Sequence, residues 1–181
     1  MTLEYILDEN DYLQHQLFTA SKTKGIKNQR LKTWIIITIA FFCLGLLFLD
    51  KEEKFLAYYF LGFGILSLVF YPFYQRNQYR KHYLKFIKNT YKNRFGETSR
   101  VSFNETFIQV NSSDSESKIN YEALEEVNEI RDYIFLKLKS GGSLIIAKNR
   151  IENIEEVKEQ ISKISKKYNL KQNIELNWKW R

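Results

Sequence analysis

His15, His82 and Cys43 are the side chains best suited to ligate a metal or attack a substrate, and their spacing favours neither. The two histidines stand far apart, each in a basic-flanked arm, and neither has a cysteine or second histidine at a ligand spacing. Cys43 is the one cysteine, so no intrachain disulfide can form; it sits inside an apolar run, where a thiolate is disfavoured. Glu125, Glu126 and Glu129 lie close enough for paired-carboxylate chemistry, but in a chain that is 27% charged they read as a solvated acidic cluster. Gly141 and Gly142 belong to a turn, "SGG", and not to a phosphate-cradling loop. These residues predict a non-enzymatic protein with no catalytic residue, no metal and no cofactor.

Positive charge is the stronger signal. The 181-residue chain carries a net +7. Lys22 to Lys32 holds five basic residues and no acid, and Arg76 to Arg94 holds seven and no acid. The basicity is therefore local. In "QRNQYRKHYLKFIKNTYKNRF", Tyr79, Tyr83, Phe86, Ile87, Thr90 and Tyr91 recur at helical spacing while Arg76, Arg80, Lys81, Lys85, Lys88 and Lys92 fill much of the rest. Those six cations are candidate contacts for anionic lipid, each contributing about 1 kcal/mol near such a surface. The competing reading is that the aromatic face packs on the following domain and the lysines only set membrane topology. A nucleic-acid partner is not expected, because no recognition motif is present.

Each basic block abuts an apolar run. Residues 33–49 contain no charge in 17 positions and residues 55–74 none in 20. Helices of that length span roughly 25–30 Å, the hydrocarbon thickness, and neither run has a polar face. Together they predict a transmembrane hairpin over 33–74. Its tip is Asp50–Lys54, "DKEEK", which must lie in water because unpaired charge in hydrocarbon is costly. With both basic blocks at the same side of the hairpin, the positive-inside rule places both termini in the cytoplasm of a cell (inner) membrane. Gly45, Gly62 and Gly64 are candidate helix-packing positions, either within the hairpin or toward a partner helix, which leaves a homo-oligomer open.

From Ser99 the period changes to two. Val101, Phe103, Phe107 or Ile108, Val110, Ile119 and Tyr121 mark alternating strand positions. "YEALEEV" reads as one helical turn entering a strand, and "DYIFLKLK" and "SLIIAK" as further strands around the "SGG" turn. Ile151, Ile154, Val157, Ile161, Ile164 and Tyr168 then recur at helical spacing behind Asn149 or Asn153 as N-cap. Antiparallel strands closed by one C-terminal helix are the layout of a pleckstrin-homology-like β-sandwich. At the front, "LEYIL" reads as a strand and the residues after it as a helix capped by Asp8; either chain end is expected as an edge strand.

The stretches "YILDENDYLQHQLF" and "INYEALEEVNEIRDYIFLKL…GGSLIIAKNRI", with the hairpin between them, resemble the YcxB-like family of bacterial membrane proteins. The chain departs from that pattern at Tyr121, where tryptophan is common, and at Lys148 and Asn149, near an expected proline. The resemblance implies an integral membrane protein with a pleckstrin-homology-like cytoplasmic domain and no settled activity.

The expected fold is thus an α+β membrane protein. Residues 1–32 form a strand and a basic amphipathic helix; 33–74 the transmembrane hairpin; 75–96 a basic juxtamembrane helix; 97–171 the cytoplasmic sandwich; 172–181 a tail or edge strand. The expected role is a membrane-anchored interaction module that offers a protein partner its cytoplasmic domain. The alternatives are an anionic-phospholipid surface sensor and a subunit of a larger membrane complex.

Overall fold

The computed structural model describes residues 1–49, 52, 54–112 and 115–181. The expected tip at Asp50–Lys54 falls largely outside them. The chain divides into two compact units, Met1–His15 with Phe86–Lys179, and Gln16–Lys85 with Trp180–Arg181.

The first unit is built from two four-stranded sheets. One has the order β1 (Thr2–Ile6), β2 (Thr98–Phe103), β3 (Phe107–Ser112), β4 (Ser115–Asn120), all antiparallel. The other has the order β7 (Ser143–Ala147), β6 (Tyr133–Leu138), β5 (Leu124–Ile130), β8 (Lys171–Glu175). The front of the chain therefore joins a sheet as an edge strand, whereas at the other end only Lys171–Glu175 does so, and residues 176–181 of the expected tail or edge strand are not strand. The expectation of a wholly antiparallel fold is corrected at β8, which pairs parallel to β5. A parallel neighbour needs a crossover, and helix α4 (Ile154–Lys167) supplies it.

Period-two burial runs along the first sheet, with Leu3, Tyr5, Val101, Phe103 and Ile108 buried. Val157, Ile161 and Ile164 of α4 are buried as the 3.6-residue period requires. Helix α4 begins after Asn153, so Ile151 precedes it; Lys148–Arg150 form a separate 3-10 turn. Tyr121 is not a strand residue. It opens the 3-10 turn Tyr121–Ala123, is buried, and donates its hydroxyl to the Asn104 carbonyl at 2.7 Å. In β6 the expected alternation fails: Tyr133, Ile134, Phe135 and Leu136 are all buried. The reason is a second covering layer. Helix α1 (Glu9–Lys22) sets His15 edge-on to Phe135 and Asp11 against Tyr133, so this strand is covered on both faces.

In the second unit, helix α2 (Lys24–Leu49) and helix α3 (Lys54–Thr90) carry the two apolar runs. Both are long and apolar enough to cross a membrane, and only 11% of each apolar window is buried. Helix α3 continues without a break through Pro72 to Thr90. The basic segment is thus no separate helix over 75–96, and Lys92 lies beyond α3 in the 3-10 turn Lys92–Arg94.

Candidate functional site

Asp8 is the N-cap of α1, its carboxylate accepting the backbone N–H of Asn10 at 2.8 Å and of Asp11 at 3.1 Å. Asp11 returns the contact by accepting the Asp8 N–H at 2.7 Å, a capping box with aspartate at both positions. The same Asp11 carboxylate, 2% exposed, accepts the Tyr133 hydroxyl at 2.8 Å and pairs with the Arg150 guanidinium at 2.9 Å. Arg150 also binds Asp8 and the Ile6 carbonyl. Burial and then the Asp11 contact push the Tyr133 hydroxyl well above its ordinary range, so it stays a donor. Desolvation raises the Asp8 carboxyl, but hydrogen bonds from Arg150 and from the backbone N–H groups of Asp11 and Asn10 outweigh it and hold the group below its ordinary value. Every member of this cluster has a charge-matched or hydrogen-bonded partner, so its role is to fasten the strand and helix at the front of the chain to β6 and the turn before α4.

The acidic cluster has a similar explanation. Glu125 and Glu126 pair with Lys137 at 3.0 and 3.4 Å, and Glu129 pairs with Lys148 and, at 3.8 Å, Lys158. His15 is largely buried in unit one, which lowers its pKa to about 4, a neutral packing histidine at physiological pH.

Of the six candidate lipid contacts, Arg76, Arg80, Lys81 and Lys85 lie in the second unit, and Lys88 and Lys92 in the first. All six are exposed. The five on α3, Arg76, Arg80, Lys81, Lys85 and Lys88, spread over about half its circumference at ~100° per residue. Lys88 meets Glu9 at 3.4 Å. Two aromatic residues of the segment pack internally, Tyr91 stacking on Tyr12 at 4.9 Å and Tyr79 lying 6.3 Å from Trp180, while Phe86 is exposed. Trp180, 7% exposed, donates to the Arg76 carbonyl at 3.1 Å, and the Arg30 guanidinium covers its ring at 4.7 Å.

The glycines separate into two kinds. A Cβ on Gly45 would stand 2.7 Å from Leu61 and one on Gly64 would stand 3.2 Å from Phe42, so both lie at the contact between α2 and α3. A Cβ on Gly62 would meet nothing within 4 Å.

One feature escaped the sequence reading. A half-open cavity of about 450 Å³ lies against the inner face of the first sheet. That face changes character in steps. Phe103, Ile108 and Ile119 stand in one row; Leu3, Val101, Val110 and Ser117 form the next; Tyr5 opposite Ser99, and Ser112 opposite Ser115, form the third. The signal was present as serines on the inward phase of "SRVSF", "IQVNS" and "SESKI", but it required the register to be seen.

This two-sheet unit contains the segment with known relatives. Residues 103–161 match the family described as YcxB-like protein. The YcxB-like segment runs from the end of β2 through β3–β7 into α4. Strand β1, α1, the apolar helices and β8 lie outside the match. No curated protein matches the chain.

Proposed function

We propose that the chain is a membrane-anchored interaction module, with the apolar helices in the bilayer and the two-sheet unit in the cytoplasm. The observation that carries this reading is the exposed apolar skin of α2 and α3, where Ile36, Leu47, Phe55 and Val69 are 65%, 66%, 79% and 55% exposed. In water such a surface invites association; in lipid it is satisfied. Strand order β1–β4 in one sheet and β5–β7 in the other, followed by α4, supports a pleckstrin-homology-like sandwich. Its role is binding: β4 is an exposed edge with one sheet neighbour, suited to pairing with an extended partner segment. The test has two parts. The full chain stays in the membrane pellet at alkaline pH, and tags at both ends are digested only from the cytoplasmic side. A photo-crosslinker at Lys118 on β4 captures one discrete partner band, whereas one at Glu152 does not. Release into the supernatant overturns the anchor, and identical patterns at the two positions overturn the edge.

A second reading, anionic-lipid contact, is favoured by the charge of the second unit. Its segments 16–49 and 75–85 carry Lys22, Lys24, Lys27, Arg30, Lys32, Arg76, Arg80, Lys81 and Lys85 and no acid. Anionic lipid co-purifying with the full chain and lost in R80Q/K81Q/K85Q supports it; retention in that variant excludes it.

A further inference from the structure

We propose that the cavity against the inner face of the first sheet binds a small phosphorylated polyol, as a lipid headgroup or free in solution. The proposal is independent of the edge-strand reading and of the basic segment of α3. Inward positions of a packed sheet normally carry apolar side chains, as the row Phe103, Ile108, Ile119 does. Here Ser99, Ser112, Ser115 and Ser117 continue the same face on three adjacent strands and all line the cavity, Ser99 and Ser112 half-buried and Ser115 and Ser117 exposed at its open side; Ser112 and Ser115 share a hydrogen bond at 2.9 Å, each keeping capacity for a ligand. A hydroxyl both donates and accepts, so this wall matches a ligand rich in hydroxyls. Leu138 and Leu144 form an apolar part of the lining, suited to a carbon backbone.

Two charged residues narrow the class. Arg94 lines the cavity and is exposed; its guanidinium lies over the Tyr91 ring at 5.9 Å, which leaves its N–H edge for a phosphate oxygen. Glu97 lines the same space, and no ion pair joins it to Arg94 among the described residues. A carboxylate disfavours a polyanion but accepts from a polyol hydroxyl. One phosphate group plus neighbouring hydroxyls satisfies both residues. At about 450 Å³ the space lies within the ~300–1,000 Å³ of ordinary small-molecule sites.

The test uses the full chain in phosphatidylcholine nanodiscs. Glycerol 3-phosphate is titrated by calorimetry; in parallel, amide hydrogen exchange is read in β2 and β4 with and without phosphatidylglycerol in the disc. Saturable binding of glycerol 3-phosphate, weakened at least tenfold by R94Q and abolished by S117L, establishes a soluble ligand. Protection of β2 and β4 by phosphatidylglycerol alone, lost in R94Q and S117L but kept in K85Q/K88Q, establishes a headgroup. R94Q changes an exposed side chain and serves as the variant that folds if S117L does not. Absence of both responses, or responses unchanged by R94Q, overturns the proposal.

Discussion

At the scale of single residues, the Asp11 carboxylate carries the most consequence. It is buried, and three donors converge on it. Removing one partner of such a pair strands the other, at about 3–5 kcal/mol when burial is complete. Arg150 is partly exposed, its side chain 27% accessible, so Asp11→Ala is expected to cost about 2–3 kcal/mol. Tyr133→Phe removes one hydrogen bond and costs about 1 kcal/mol. Urea titration of the detergent-solubilised protein measures both, and equal losses would contradict this ranking. His15 makes the residue-scale pH prediction. Its folded pKa of about 4 lies below the unfolded value of 6.5, so the unfolded chain takes up the proton first as pH falls. Stability is full above about 6.5 and is lost progressively toward pH 4, by up to about 3 kcal/mol. The His15→Phe variant removes that part of the loss; an unchanged pH dependence of the melting temperature would show that His15 is not its source.

At the scale of elements, the hairpin contact tests the packing of α2 and α3. Gly45→Ala drives a methyl to within 2.7 Å of Leu61 and is expected to cost about 1–3 kcal/mol, while Gly62→Ala, in open space inside α3, is expected to be neutral or to stabilise by up to about 1 kcal/mol. Thermal melts of the two variants in detergent decide it; a larger loss at Gly62 would place an unseen packing partner there. The elements also show what the sequence could disclose. Apolar run length disclosed α2 and α3, and the 3.6 period disclosed α4, although of the two expected caps Asn149 lies in the preceding 3-10 turn and Asn153, at the helix start, makes no side-chain capping bond. Alternation disclosed β2 and β3. It failed at β6 because α1, distant in sequence, covers the second face, and no local pattern records that cover. The cavity was illegible for a related reason: an inward serine looks like an outward one until the register β1–β2–β3–β4 is known.

At the scale of the molecule, the chain order matters more than the element list. The segment matching the YcxB-like family begins at residue 103, yet β1 pairs with β2 along Thr2↔Ser102 to Ile6↔Thr98. Between those two strands the chain makes both apolar helices. The two-sheet unit is therefore discontinuous: its first strand is made before the hairpin and its remainder after. A fragment of residues 103–161 lacks β1, nearly all of β2, the α1 cover over Phe135, the Asp11 partner of Arg150, and β8. It exposes an unpaired β3 edge and an apolar face of β6. Such a fragment is expected to show no slowly exchanging amide core, whereas the full chain protects β5 and β6. The decisive comparison is a chain with the apolar segment 24–85 replaced by a flexible linker, which keeps Met1–His15 joined to the rest. If that chain recovers slow exchange in β5 and β6 while 103–161 does not, the front segment is part of the folding unit. Slow exchange in the isolated 103–161 fragment would instead make β1 and α1 dispensable additions.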